Sequence, residues 1–372
     1  MKKIVFTGGG TGGHVFPIIA VAEEMRKRDL NLDLSYIGPS DFTSETFLKK
    51  EKIRTHYISS GKIRRYFSVG SFFANLIDVL FKIPFGIFQS FIIMFFTAPD
   101  LVFSKGGFGS IPVVFSAWLL RIPVFMHESD VVPGLANKIG SRFSEKVLVS
   151  FPIPEMEYFK KEKMIETGNP VRKDLAEGNR EEAQKLFGLT YEKPVILILG
   201  GSQGSERIND VILEMLPDML KEFEVIHQTG LNGLRRVKEE SVAMIDKDLL
   251  KYYHPYFFLD ERELSDAYAA SDCVVGRAGA GTIFEIALVK KPSILVPLPE
   301  SAQNHQVKNA YSYAKNGACL VLEEGNFIHH FFLEKLRLLL KDDAEKMKAA
   351  AEQFSKPFAA NVIARYLIDF LS

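Results

Sequence analysis

Two glycine-rich turns, Gly8-Gly9-Gly10-Thr11-Gly12-Gly13-His14 and Gly200-Gly201-Ser202-Gln203-Gly204, lie half a chain apart. The first follows Lys3-Ile4-Val5-Phe6-Thr7 and leads into Ile18-Ile19-Ala20-Val21-Ala22. The second follows Val195-Ile196-Leu197-Ile198-Leu199 and leads into an amphipathic stretch from Ile208 to Leu216. Both read as strand, glycine loop, helix. Glycine lets backbone amides approach an anion closely, and a helix N-terminus adds unpaired N–H groups and partial positive charge. The chemistry this suits is phosphate binding. One such unit is a weak signal; two imply a diphosphate held in a cleft between two domains.

The elements that must position these loops repeat as well. Phe103-Ser104-Lys105-Gly106-Gly107-Phe108-Gly109-Ser110-Ile111 lines up with Val275-Gly276-Arg277-Ala278-Gly279-Ala280-Gly281-Thr282-Ile283. Downstream, Arg121-Ile122-Pro123-Val124 echoes Lys291-Pro292-Ser293-Ile294, each opening a strand that ends in a polar loop. Strands alternating with helices imply parallel sheets, which bind ligands beyond the carboxyl ends of their strands. The expected class is α/β, with domains over residues 1–166 and 167–356 and a boundary near Gly168-Asn169-Pro170-Val171-Arg172. Pro357 should break the last helix, so that residues 357–372 rejoin the first domain. A polar helix is expected from Asp174 to Phe187.

Composition narrows the function. Lys+Arg and Asp+Glu both number 46, so non-specific nucleic-acid binding has no global electrostatic support. Cys273 and Cys319 are the only cysteines, too few for a disulfide framework or a cysteine-rich metal site. Asp246-Lys247-Asp248 spells D-x-D inside a run of charges and reads as solvated surface, so no metal and no cofactor is expected. Only three apolar residues follow Met1-Lys2-Lys3, too few for a secretory leader.

Beyond the first loop, further motifs run in order along the chain. They are Ser104-Lys105-Gly106-Gly107-Phe108, His127-Glu128-Ser129-Asp130, Pro133-Gly134-Leu135-Ala136-Asn137-Lys138, Gly168-Asn169-Pro170-Val171-Arg172, His227-Gln228-Thr229-Gly230, Arg277-Ala278-Gly279-Ala280 and Asn304-His305-Gln306. With Gly9-Gly10-Thr11-Gly12-Gly13-His14-Val15-Phe16-Pro17, the set resembles the MurG family, the peptidoglycan N-acetylglucosaminyltransferases of glycosyltransferase family 28. The resemblance implies a GT-B fold of two Rossmann-like domains. It also implies UDP-N-acetylglucosamine as donor and lipid I, an undecaprenyl-diphosphoryl muramyl-peptide, as acceptor. Lipid II would form with inversion, without a metal, on the cytoplasmic face of the plasma (inner) membrane. Ser129-Asp130 stand where many members carry Gln-Asn, which unsettles any sugar contact at Asp130.

On that resemblance Ser202 donates to the donor's phosphate; its other reading is a helix N-cap. Arg172 binds at the hinge or is an exposed linker cation. Glu285 takes the ribose diol, or partners Thr282 in a capping box. Gln306 reads sugar hydroxyls or belongs to a polar loop. Leu259, Ala280, Gly281 and Thr282 complete the substrate-binding set, and Thr11, Gly12 and Gly13 shape the acceptor diphosphate site. His14 is the candidate general base, kept neutral by the helix dipole; alternatively it hydrogen-bonds the diphosphate. His127-Glu128 offers a second acid–base pair.

The phenylalanine-rich stretch 62–96 has three readings: a spanning helix, core helices flanking a sheet, or an interfacial patch bordered by Lys62, Arg64, Arg65 and Lys82. The third would bring the chain to a membrane surface. Gly200-Gly201-Ser202-Gln203-Gly204 also spells a serine-hydrolase elbow, with Asp272 and His305 as partners. That rival leaves the first glycine loop and the duplication unexplained.

Overall fold

The computed structural model describes residues 1–9, 12–29, 31–61, 69–201, 204–230 and 233–372, and the side chains of 42, 43, 69, 71, 72, 74 and 302 also fall outside the description. The chain forms two compact units, residues 1–171 with 357–372, and residues 172–356.

The first unit holds β1 (Lys2–Thr7), β2 (Leu32–Gly38), β3 (Arg54–Tyr57), β4 (Leu101–Ser104), β5 (Val124–Glu128), β6 (Lys146–Val149) and β7 (Met164–Glu166). They pair in the order β3-β2-β1-β4-β5-β6-β7, all parallel. The second unit holds β8 (Val195–Leu199), β9 (Glu224–Gln228), β10 (Tyr253–Tyr256), β11 (Cys273–Gly276), β12 (Ser293–Leu295) and β13 (Leu320–Val321). Their order is β10-β9-β8-β11-β12-β13, again parallel. Such strands are covered on both faces, so they are apolar throughout rather than alternating. Ile4, Val5 and Phe6 of β1 and Val195 to Ile198 of β8 are fully buried accordingly.

Strand order reverses between β1 and β4, and again between β8 and β11. At such a switch point neighbouring loops diverge to opposite faces and leave a crevice for ligand. Both duplicated motif pairs land there: the loops after β1 and β4 in one unit, and those after β8 and β11 in the other.

The helix Ala344–Phe354 stops at Ser355, and after Pro357 the helix Ala359–Leu371 packs on the first unit. Ala360, Ile363, Ala364 and Leu367 join that unit's core. Asn361 donates to Glu24 at 2.7 Å, and Phe125 stacks edge-on against Phe370 with centroids 4.8 Å apart. The expected polar helix 174–187 is instead a short 3₁₀ turn, Lys173–Ala176, and a helix Arg180–Phe187. Asn179 separates them because its side chain caps the amides of Glu181 and Glu182.

In the phenylalanine-rich stretch, Val69–Ile77, a π turn Asp78–Lys82 and Ile83–Thr97 run on as helix. Lys62, Arg64 and Arg65 lie outside the described residues. The inward row of the last helix is Gly86, Ser90 and Met94. Ser90 Oγ meets Ser116 Oγ at 2.8 Å, and a Cβ at Gly86 would lie 2.0 Å from the Ser59 carbonyl oxygen. The outward row carries Phe81, Phe85, Phe88, Phe95 and Phe96, all exposed. Apart from Met94 the inward row is small or polar and the aromatics face out, the reverse of a soluble protein's surface helix. Asn75–Thr97 is long and apolar enough to cross a membrane, and 17% of its most apolar window is buried, so it is not a core helix.

Candidate active site

The first unit's switch point gathers charge. Lys105 follows β4, and Gly106 and Gly107 after it take φ of +85° and +84°, where a side chain is strained. A Cβ at Gly107 would lie 2.8 Å from Gly9 Cα and 2.9 Å from His14 Nε2, so the two glycine loops touch through their backbones. Gly107→Ala should therefore destabilise the first unit by about 1–3 kcal/mol from backbone strain alone, with further cost from the clash. Thermal denaturation checks this, and an unchanged Tm would mean that the loops are not packed as described.

His14, in the first turn of the helix Gly12–Arg28, is half-buried. Burial first, and then the Lys105 ammonium, lower its pKa to about 4. The imidazole is thus neutral at pH 7, with desolvation and a neighbouring cation acting in the same direction as the helix dipole. Thr11 lies outside the described residues.

Glu128, the last residue of β5, is 3% exposed. One carboxylate oxygen accepts from the Asp130 amide at 3.0 Å and the other from Asn137 Nδ2 at 2.8 Å. Burial, then Asp130, push its pKa up to about 7. Lys105, itself buried, binds Ser129 Oγ, and desolvation lowers its pKa to about 8 against the pull of Glu128 and Asp130. His127 is turned away: its Nε2 lies 3.1 Å from the Gly168 carbonyl, and burial drives its pKa far down. It braces the chain before Arg172 and offers no proton relay to Glu128.

In the second unit Gly201 and Gly204 adopt φ of +84° and +81°. Gln228, at the end of β9, donates to the Gly201 carbonyl at 3.1 Å and accepts from the Leu259 amide at 3.3 Å, tying buried Leu259 to the loop. Ser202 lies outside the described residues. The N-cap of the helix Glu206–Glu222 is Ser205, because the left-handed Gly204 delays the helix start. Arg277 after β11 donates to Ser205 Oγ at 2.8 Å and to buried Glu324 at 2.6 Å, fixing the two loops side by side.

Ala280, Gly281 and Thr282 form the first turn of the helix Ala280–Leu288, whose N-cap is Gly279. That start places Glu285 beyond the position a capping box needs, and no side chain caps this helix. Glu285 instead accepts from the buried Tyr268 hydroxyl at 3.4 Å. Burial raises its pKa to about 7 against the opposing pull of Arg172. Arg172 pairs with Glu261 at 3.1 Å. Gln306 accepts from the Leu298 amide at 3.0 Å. Just before it, Gln303 and Asn304 hold left-handed φ of +60° and +55°, strain of the kind that clusters at ligand sites. Asp246 and Asp248 are exposed around a four-residue helix.

Each unit thus brings a glycine loop, a helix N-terminus and one carboxyl of raised pKa to its switch point. Sequence reasoning missed Lys105, Asn137, Gln228 and Tyr268 as members of these groups. Lys105, Asn137 and Gln228 stood inside quoted motifs while Tyr268 stood in none, and nothing in their spacing marked which carboxylate or loop they serve.

Comparison with known proteins decides between the chemistries such groups allow. Residues 4–149 match the glycosyltransferase family 28 N-terminal domain and residues 195–364 the family's C-terminal domain. A Clostridium tetani protein named UDP-N-acetylglucosamine–N-acetylmuramyl-(pentapeptide) pyrophosphoryl-undecaprenol N-acetylglucosamine transferase is 39% identical over 97% of this chain and 96% of its own length. The chain belongs to glycosyltransferase family 28. Crystalline MurG of Acinetobacter baumannii superposes with a TM-score of 0.75 at 25% identity, covering 99% of this chain and 100% of that one. A Neisseria meningitidis UDP-GlcNAc 2-epimerase shares the GT-B fold at 16% identity, with a TM-score of 0.67 and 99% and 100% coverage.

His14, Lys105, Glu128 and Asp130 fall within the family 28 N-terminal match. Leu259, Glu285 and Gln306 fall within the C-terminal match. Arg172 lies in the segment between the two, outside both.

Proposed function

We propose that this family 28 enzyme transfers N-acetylglucosamine from UDP-N-acetylglucosamine to the muramyl sugar of lipid I, the undecaprenyl-diphosphate-linked acceptor, giving lipid II. The observation that carries the reading is the 39% identity to the Clostridium tetani transferase over 97% of the chain, a match that spans both sheets and all four loops.

In this reading the donor's pyrophosphate sits against the loop Gly200–Gly204 and the helix N-terminus behind it, with Ser202 and Arg172 adding donors. A helix terminus contributes roughly 0.3–1 kcal/mol when exposed and about 2 when partly buried. Several amides and a guanidinium together are needed to stabilise the leaving diphosphate. Glu285 takes the ribose hydroxyls, Gln306 reads the sugar, and Leu259, Ala280, Gly281 and Thr282 line the donor. The acceptor's diphosphate is held by Thr11, Gly12 and Gly13.

His14 takes the proton of the acceptor's 4-hydroxyl. As the oxygen bonds to the anomeric carbon from the face opposite UDP, the bond to UDP breaks and its electron pair leaves on the diphosphate. Configuration inverts. Glu128 has the pKa nearer neutrality, but both its oxygens are engaged and it is almost wholly buried. Geometry ranks ahead of pKa in choosing a base. Glu128 therefore positions Asn137 and the loop bearing Asp130.

A lipid-linked acceptor requires a membrane surface, and the outward aromatic row of the helix Ile83–Thr97 with Lys82 beside it suits peripheral attachment to an anionic leaflet. We place the enzyme on the cytoplasmic side, where nucleotide sugars are made.

The test is transfer of labelled sugar from UDP-N-acetylglucosamine to lipid I in detergent. The expected product is a β-1,4-linked disaccharide on the lipid. Formation of a 2-epimer or free sugar, with none on the lipid, would overturn the reading.

A further inference from the structure

Beside the first unit's glycine loops lies a cavity of about 120 Å³. Its walls come from Ile87 on the helix Ile83–Thr97, Ile111 and Val114 on the helix Ser110–Leu119, Ala136 and Ile139 on the helix Leu135–Gly140, and Phe143. An apolar cavity of about 150 Å³ stays dry and admits benzene, so this one has room for a branched five-carbon group. Ser110 is its only polar side chain, and that hydroxyl is spent on the Gly107 carbonyl at 2.8 Å. Nothing inside offers water the several partners it needs.

Position says what enters. Ser110 opens the helix that follows left-handed Gly106 and Gly107, and its bond to the Gly107 carbonyl ties the inner end of the cavity to the glycine loop. Ile87, Ile111, Ala136 and Ile139 are half-buried, so the cavity is open to the outside. Phe115 and Phe143 of its wall stack with Trp118, centroids 5.1 to 5.6 Å apart, and Trp118 itself is exposed at the surface. An apolar cavity thus adjoins the Gly106–Gly107 loop, which packs against Gly9 and His14 of the loop assigned above to the acceptor's diphosphate, and it opens to the surface.

We propose that this cavity takes the isoprenoid chain of the acceptor at the end joined to its diphosphate. The proposal rests on the acceptor assigned above and goes beyond it in naming where the chain leaves the phosphates. Tethering to a bound diphosphate gives this group an effective concentration that no free membrane lipid has. The chain's branch methyls fill the cavity, and the remaining units pass Trp118 into the bilayer.

The experiment uses two soluble acceptors, one with a ten-carbon isoprenoid on the diphosphate and one with a methyl cap. The wild type should show a KM for the isoprenoid acceptor about 10- to 100-fold below that for the methyl-capped one, the return for burying several carbons. Ile139→Trp should erase that preference, with KM for UDP-N-acetylglucosamine and sedimentation with anionic vesicles unchanged. A diazirine on the first isoprene unit should label peptides 110–119 or 135–143 of the wild type, a result independent of how the variant folds. Labelling confined to the outward residues Phe81, Phe85, Phe88, Phe95 and Phe96, or a preference that survives Ile139→Trp in folded protein, overturns the proposal. Sugar transfer to neither acceptor by the wild type would instead overturn the acceptor assignment itself.

Discussion

His14→Ala lowers kcat by about 10²- to 10⁴-fold, the contribution of a positioned general base, while KM for the donor changes little. The pH profile separates His14 from its rival. With a folded pKa of about 4, His14 is deprotonated across the physiological range, so kcat/KM holds its plateau and falls only as pH drops through about 4. A base at Glu128 would instead place the acid limb near 7. Bound acceptor brings phosphate charge to the loop and favours the imidazolium, so the limb in kcat should lie above the limb in kcat/KM. Lys105→Met removes a cation that opposes protonation of His14 and should move the limb upward. A limb near 7 that disappears in Glu128→Gln would transfer the role of base to the glutamate.

Glu285→Gln should weaken the donor and strengthen the fold. Hydrogen bonds to a charged group are worth about 1.5–3 kcal/mol, so KM for UDP-N-acetylglucosamine should rise roughly 10- to 100-fold. Stability moves the other way. The folded pKa of about 7 stands above the ordinary 4.5, so the native state holds the proton more tightly than the unfolded chain does. The stabilisation is complete below about 4.5 and is lost as pH rises through 7. At pH 8 wild-type Glu285 is ionised in a buried setting, at a cost on the order of 1–3 kcal/mol. The neutral amide avoids that cost, and for a unit of this size Tm should rise by about 2–8 °C at pH 8. At pH 4.5 the variant and the wild type should melt much closer together. Equal Tm shifts at both values would show that the carboxyl is not held protonated by its surroundings.

The glycine loops were legible because they are backbone requirements written as residue types. Gly106, Gly107, Gly201 and Gly204 all take φ near +80°, a region that selects glycine in the sequence itself. The repeat between 103–111 and 275–283 was legible for a related reason, since equivalent strands at equivalent switch points need equivalent turns. Partnerships set by sheet register were not legible. Lys105 and Glu128 are 23 residues apart and meet because Ser104 pairs with Met126. Tyr268 reaches Glu285 only once the helices Glu261–Ala270 and Ala280–Leu288 are packed. The capping readings of Ser202 and Glu285 rested on helix starts, which the glycines shift by a few residues. For the phenylalanine stretch, composition gave the apolar content but not the side it faces. Gly86 and Ser90 decide that, since only small residues can lie against Ser59 and Ser116.

The tail that closes the first unit bears on how the molecule is made. Residues 172–356 are contiguous and can condense as soon as they leave the ribosome, in the manner of a domain folding as a unit. The lobe begun first must wait, because Ile363, Ala364 and Leu367 arrive only after that whole insert has been synthesised. Until they dock, Phe125 and the face of the helix Gly12–Arg28 stay uncovered, so the nascent N-terminal lobe is the natural client for a chaperone and its partner is not.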